Sequence, residues 1–105
     1  MSDIAPTPEP PYYAVIFSSH RTAGDKGYDD MATRMVELAA QQPGFLGIES
    51  VKEDLGITVS YWDNLESIKN WKKNTEHLEA QRLGHQQWYS HFRVRIARVE
   101  RDYGI

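Results

Sequence analysis

Four histidines, three tryptophans and no cysteine bound the chemistry open to this 105-residue chain. Without thiols there are no disulfides, no thiolate nucleophile, no iron–sulfur cluster and no Cys-ligated zinc or haem. One helix presents two metal ligands only at three- or four-residue steps. His77, His85 and His91 are eight and six residues apart, and His20 stands far upstream. No G-x-G-x-x-G, P-loop, G-x-S-x-G or H-E-x-x-H occurs, so Rossmann hydride transfer, P-loop ATP use and α/β-hydrolase chemistry lack their usual signals. What remains is acid–base work and aromatic clamping. A histidine ionises at about pH 6.5 and can accept a proton near neutrality, which makes His77 the candidate base. Trp62, Trp71 and Trp88 would clamp a flat molecule, and Tyr61 or Tyr89 would donate to a developing oxyanion.

Spacing ties several of these residues together. At about 100° per residue, His77, Ala80, Gln81, Gly84, Trp88 and His91 fall on one narrow helical face. A helix packed on a sheet normally offers Leu, Ile, Val or Met there. This stripe offers an imidazole, an amide, a missing side chain and an indole, and Gly84 costs about 1 kcal/mol relative to Ala. One reading is a pocket between the last long helix and a sheet, with Trp62, Trp71 and Trp88 as walls and His77 and Gln81 as polar groups. The other is ordinary core with His77 as a hydrogen-bonded structural residue. Arg93, Arg95, Arg98 and Arg101 follow, of which Arg95 is the candidate substrate contact; such arginines grip anions or pair with carboxylates such as Glu49, Glu53 and Glu100.

The elements that must carry these residues read as follows. Pro6, Pro8, Pro10 and Pro11 make residues 1–11 a flexible or strapped-on tail, and residues 12–105 form the domain. Tyr12 to Ser19 is a strand with apolar residues on both faces. Tyr28, Met31, Met35, Leu38 and Ala39 place a helix over residues 28–42, with Asp29 and Asp30 at its positive end and Pro43-Gly44 after it. Gly47 to Glu53 and Gly56 to Trp62 form a hairpin turning at Asp54-Leu55-Gly56. Asp63 and Glu66 have capping-box spacing for a short helix through Lys72, a second helix runs from about Thr75 to His91, and Phe92 to Tyr103 is the last strand. The order β-α-β-β-α-β predicts an α+β, ferredoxin-like fold with a four-stranded antiparallel sheet. One-sided helical cover leaves a greasy sheet back, which a homodimer would hide.

Composition narrows the class further. Hydrophobic residues are 40% and charged residues 26% of the chain, as in folded domains, and one core is all this length supports. A net charge of -3 gives no attraction for phosphate backbones, so nucleic acid is not an expected partner. No apolar run has membrane-spanning length, and Met1 to Pro11 carries no secretory-signal pattern. A thiol-free chain fits a reducing cytoplasm.

Ordered along the chain, Gln42-Pro-Gly-Phe-Leu-Gly-Ile-Glu49, Ser60-Tyr-Trp-Asp-Asn-Leu-Glu-Ser-Ile-Lys-Asn-Trp71, Glu76-His77, Ala80-Gln81, Trp88-Tyr89 and Val99-Glu-Arg-Asp-Tyr103 resemble the antibiotic biosynthesis monooxygenase superfamily of dimeric α+β barrels. The resemblance spans about residues 12 to 103. It implies a homodimer with a cavity between helices and sheet in each subunit. It further implies a monooxygenase that oxidises a small planar, aromatic compound with O2 and no added cofactor. On that reading His77 is catalytic, and Trp62, Trp71, Gln81, Gly84, Trp88, Tyr89 and Arg95 contact substrate. A non-catalytic dimer that binds a small molecule is the alternative. Haem-degrading relatives form a third class; they use a strand Asn, a helix Trp and a His ten residues after that Trp. Trp71 matches the Trp, but Gln81 stands at the His position and Tyr12 to Ser19 contains no Asn.

Overall fold

The computed structural model describes residues 3–22, 28–81 and 89–105, and for 77–81 it describes the helical backbone alone. The elements are β1 (Tyr12–Arg21), α1 (Tyr28–Ala40), β2 (Phe45–Lys52), β3 (Gly56–Trp62), α2 (Leu65–Gln81) and β4 (Tyr89–Val99). The sheet order is β2-β3-β1-β4 with every neighbouring pair antiparallel, which is the ferredoxin-like α+β arrangement. No helix among the described residues is long and apolar enough to cross a membrane.

Strand register sorts the side chains into two faces. Tyr13 pairs with Trp62 and Ala14 with Tyr61, so alternation puts Tyr13, Val15, Phe17 and Ser19 with Trp62, and Tyr12, Ala14 and Ile16 with Tyr61. The Trp62 face is the helix side. Trp62 is fully buried, its ring stacks on Trp71 of α2 at 6.1 Å, and its Nε1–H donates to Ser60 Oγ at 2.9 Å. Burial of an indole to this degree is worth about 3–5 kcal/mol on truncation to Ala.

The corner between α1 and β2 explains the Pro-Gly pair. α1 ends at Ala40 in tight turns, Gln41 N–H to the Leu38 carbonyl at 3.1 Å and Gln42 N–H to the Ala39 carbonyl at 3.0 Å. Phe45 N–H then donates to the Gln42 carbonyl at 3.2 Å, and Gly44 sits at φ 85°, the positive value a type II turn needs after proline. A Cβ at Gly44 would collide with Ser67 Oγ and Asp63 Oδ1, so this corner also lies against the start of α2.

Three expectations about the second half are corrected. The cap of α2 is Asn64, not Asp63: Asn64 Oδ1 accepts the Ser67 N–H at 2.8 Å, while the Asp63 N–H donates to the Gly44 carbonyl at 2.9 Å. The helix does not break near Thr75 but runs on to Gln81. Thr75 Oγ1 donates to the Lys72 carbonyl at 2.8 Å and Asn74 Nδ2 to the Asn70 carbonyl at 3.2 Å, so these polar side chains bond back onto the helix instead of opening it. The last strand begins at Tyr89 and ends at Val99, so Tyr89 to His91 are strand, not helix. β1 extends to Arg21 and supplies their ladder partners, Arg21 to Tyr89 and His20 to His91, which overrides a helical pattern in the side chains.

Residues of the tail run back over the helix-free face. Ala5 N–H donates to Glu49 Oε2 at 2.9 Å, and a Cβ at Gly47 would meet the Ala5 methyl at 2.7 Å. Thr7 Oγ1 donates to the Tyr12 hydroxyl at 3.1 Å, and that hydroxyl donates to Asp102 beyond β4. The strap thus covers Tyr12 and Ala14, both buried, and supplies part of the cover that an apolar β1 demands.

Gly44→Ala tests the corner. The left-handed backbone and the occupied space beside it predict a loss of about 2 kcal/mol in urea unfolding, with the fold retained; a variant as stable as the parent contradicts the assignment.

Candidate functional site

The helix-side residues of β3 are Trp62, Ser60, Thr58 and Gly56, one indole followed by three small residues. At the Trp62 end the space between sheet and helices is solid, with Phe45 edge-on to Trp62 at 5.5 Å and Trp71 stacked over it. At the Gly56 end the side chains are too small to fill it. A cavity of about 360 Å³ opens there, between the first turn of α1 and the ends of β1, β2 and β3. Its size is at the lower end of the range for small-molecule sites.

Phe17 and Tyr28 give it aromatic walls, and Ser19 and Thr58 give it hydroxyls. Ser50 and Thr58 hydroxyls are 2.9 Å apart across the β2–β3 ladder. Arg21, half-buried at the end of β1, lies with its guanidinium carbon 3.6 Å from the Tyr28 ring centroid, and the Lys52 ammonium is 5.3 Å from the same ring. Carboxylates of Asp29, Glu53 and Asp54 stand exposed around the opening. Behind the walls, Tyr89 packs edge-on to Phe17 at 5.3 Å and to Tyr28 at 5.7 Å, with Phe92 stacked on Phe17 at 5.6 Å. The arrangement can hold a flat molecule against aromatic rings and meet its polar end with a cation and hydroxyls.

The residues expected from sequence divide into three groups. Tyr89 joins the aromatic cluster bordering the cavity, from a strand and not a helix. Trp62 and Trp71 stack on one another at the solid end of the sheet and are not among the cavity's described lining. Arg95 is exposed and pairs with Ile16, on the helix-free face. His91 is an exposed strand residue opposite His20, so it does not share a helical stripe with His77. The side chains of His77 and Gln81, and Gly84, His85 and Trp88 altogether, lie outside the described residues. Sequence reasoning missed Arg21, Tyr28, Lys52 and the small residues Ser19 and Gly56. The run of small residues Ser60, Thr58 and Gly56 on alternate positions of β3 was the available signal.

Tyr61 lies on the helix-free face, away from the cavity. Its hydroxyl donates to Glu49 Oε1 at 2.7 Å, and its ring meets that of Tyr12 edge-on at 5.9 Å. Burial, then the Glu49 bond and charge, push its phenol up to about 12. The bond to Asp102 raises Tyr12 likewise, against a smaller opposing effect of Thr7. Among the described residues no group of three or more His, Asp or Glu is arranged to hold a metal.

The chain is a ferredoxin-like α+β domain with an aromatic-walled cavity between the first turn of α1 and the sheet. The chain belongs to the antibiotic biosynthesis monooxygenase family, whose model matches residues 11–83. It is 54% identical over 104 residues to the uncharacterized protein YqjZ of Bacillus subtilis (strain 168), covering 97% of this chain and 91% of that protein. Its fold is similar to SnoaB, a cofactor-independent oxygenase from Streptomyces nogalater, at a TM-score of 0.67 and 11% identity over 91% of this chain and 98% of that one. PA3566 from Pseudomonas aeruginosa is also similar, at a TM-score of 0.63 and 16% identity over 92% of this chain and all of that one.

The raised phenols make a pH prediction. A folded-state value above the unfolded one stabilises the fold below the unfolded value, about 10, and that stabilisation is lost as pH rises through the folded value, about 12 for Tyr61. Unfolding free energy should fall across that window, and Tyr61→Phe should flatten the fall. An unchanged slope in the variant contradicts the Tyr61–Glu49 pairing.

Proposed function

We propose that this protein is a cofactor-independent monooxygenase that oxidises a small planar aromatic compound with O2, working as a homodimer. The observation that carries the reading is the cavity of about 360 Å³, walled by Phe17 and Tyr28, on the helix side of a sheet of this family. The likeness in fold to SnoaB, a cofactor-independent oxygenase, supports the same chemistry.

In such a reaction the substrate supplies the electrons. A methylene flanked by electron-withdrawing groups loses a proton to a base, the carbanion reduces O2, and the carbon ends as a carbonyl: CH2 plus O2 gives C=O plus H2O. Four electrons leave the carbon, one oxygen atom enters it, and the other departs as water, so no reductant is needed. His77 is the proposed base. Trp88, Gln81 and Gly84 are proposed to complete the substrate contacts beside Tyr89. Trp62 and Trp71, stacked on one another at the other end of the sheet, are proposed to anchor α2 rather than to touch substrate. Arg95 is proposed to serve the subunit interface, since it stands on the helix-free face with Ile16, Val59 and Ala97. A non-catalytic binding role is favoured by one feature, the lack of a histidine among the described lining residues. Haem is disfavoured because Tyr12–Arg21 contains no Asn, Gln81 stands where a His is needed and the Trp71 indole is stacked on Trp62.

Oxygen uptake with anthrone, a planar ketone with an acidic methylene, tests this. One O2 consumed per carbonyl formed, without nicotinamide, flavin or metal, and a fall of about 100-fold or more in His77→Ala are expected. Uptake indifferent to His77 removes it as the base, and no uptake with any acidic planar ketone leaves the binding role. Sedimentation at a single-chain mass would contradict the dimer.

A further inference from the structure

We infer that the part of the cavity beside Arg21 is an anion subsite in which Arg21 takes the ionised oxygen of a planar aromatic ligand, a carboxylate, phenolate or enolate, while its ring lies against Phe17 and Tyr28. The inference rests on the cavity's being the substrate site proposed above and names the substrate class for it.

Among the described residues, five charged ones line the cavity: Arg21, Lys52, Asp29, Glu53 and Asp54. By formal count they sum to one negative charge, so a tally of the lining predicts no preference for anions. Position reverses the tally. Asp29, Glu53, Asp54 and Lys52 are exposed, where water and salt screen them, whereas Arg21 is half-buried at the end of β1. Screening is weaker away from open water, so a ligand group beside Arg21 feels that charge most.

The geometry orients that cation. The guanidinium lies 3.6 Å from the Tyr28 centroid, a stacking distance that engages its face, and its N–H donors lie in its plane. A planar fork of this kind matches two oxygens of a carboxylate, or one phenolate or enolate oxygen with a second acceptor. The hydroxyl of Ser19, a residue only 6% exposed, and that of Thr58 line the same region and can add neutral donors. A guanidinium donates hydrogen bonds and accepts none, so Arg21 does not take the proton from the ligand. Holding the ionised form of the ligand instead lowers the acidity barrier for a substrate that must become electron-rich. The mixed-sign rim then selects against highly charged molecules: its carboxylates repel a second anionic group that remains near the opening.

Naphthoate and naphthamide, equal in shape and different in charge, are the probes. Fluorescence titration of the full-length chain should show naphthoate binding about tenfold tighter than naphthamide. The ratio should shrink as salt rises, drop to near unity in Arg21→Gln, and survive in Arg93→Gln, which removes a cation from the helix-free face. Equal binding of the two probes by the native chain, a salt-independent ratio, an unchanged ratio in Arg21→Gln, or no saturable binding of either would overturn the subsite. The native-chain ratio and its salt dependence decide the matter even where Arg21→Gln fails to fold. The outcomes separate from those of the oxygenase reading: Arg21-dependent naphthoate binding with no oxygen uptake from any acidic ketone sinks the oxygenase and keeps the subsite. Oxygen uptake with equal kcat/KM for neutral and anionic substrates does the reverse.

Discussion

Trp62 sets where this molecule is solid and where it is hollow. It ends β3, is wholly buried, satisfies its N–H on Ser60 two residues back, and presents its ring to Trp71. That stack joins the middle of the sheet to α2, and the bond from Asp63 N–H to the Gly44 carbonyl joins the α2 entry to the α1 exit. Both helices are thereby anchored at one end of the sheet. At the other end β3 offers Thr58 and Gly56, small residues that line the open space. The cavity is the consequence of a large residue at one end of a strand and an absent side chain at the other, since packed interiors leave voids only where nothing fills them.

Much of the fold was legible because long periodic segments and hard punctuation agree. β3 falls on Gly56 to Trp62 as read, and the Pro43-Gly44 corner falls where the breakers stand. Two errors share one cause. A break between Lys72 and about Thr75, and helix over Tyr89 to His91, both follow from local pattern alone. Back-bonding to Lys72 and Asn70 settled the first, and pairing with Arg21 and His20 settled the second. Neither contact is visible to a window that moves along the chain.

The cavity was harder to foresee. Aromatic residues near a histidine drew attention to the solid end, where Trp62 and Trp71 pack on each other. The groups that meet at the hollow end come from four separate places: Phe17 and Arg21, Tyr28, Lys52, and Gly56 with Thr58. Each is ordinary in sequence, and only the antiparallel register brings them together. The apolar back of β1 was likewise half explained by sequence. The strap of residues around Ala5 and Thr7, held by Glu49 and the Tyr12–Asp102 pair, covers one end of that face and leaves Ile16, Ile57 and Val59 half-buried beyond it.

The central claim is that ligands enter on the helix side, at the Gly56 end of β3. Amide chemical-shift mapping of the full chain with an aromatic acid reads this directly, residue by residue. Perturbations gathered at Ser19, Arg21, Tyr28, Gly56 and Thr58 are the predicted result. Perturbations gathered instead at Tyr12, Ala14, Glu49 and Tyr61, across the sheet beneath the strap, would contradict it.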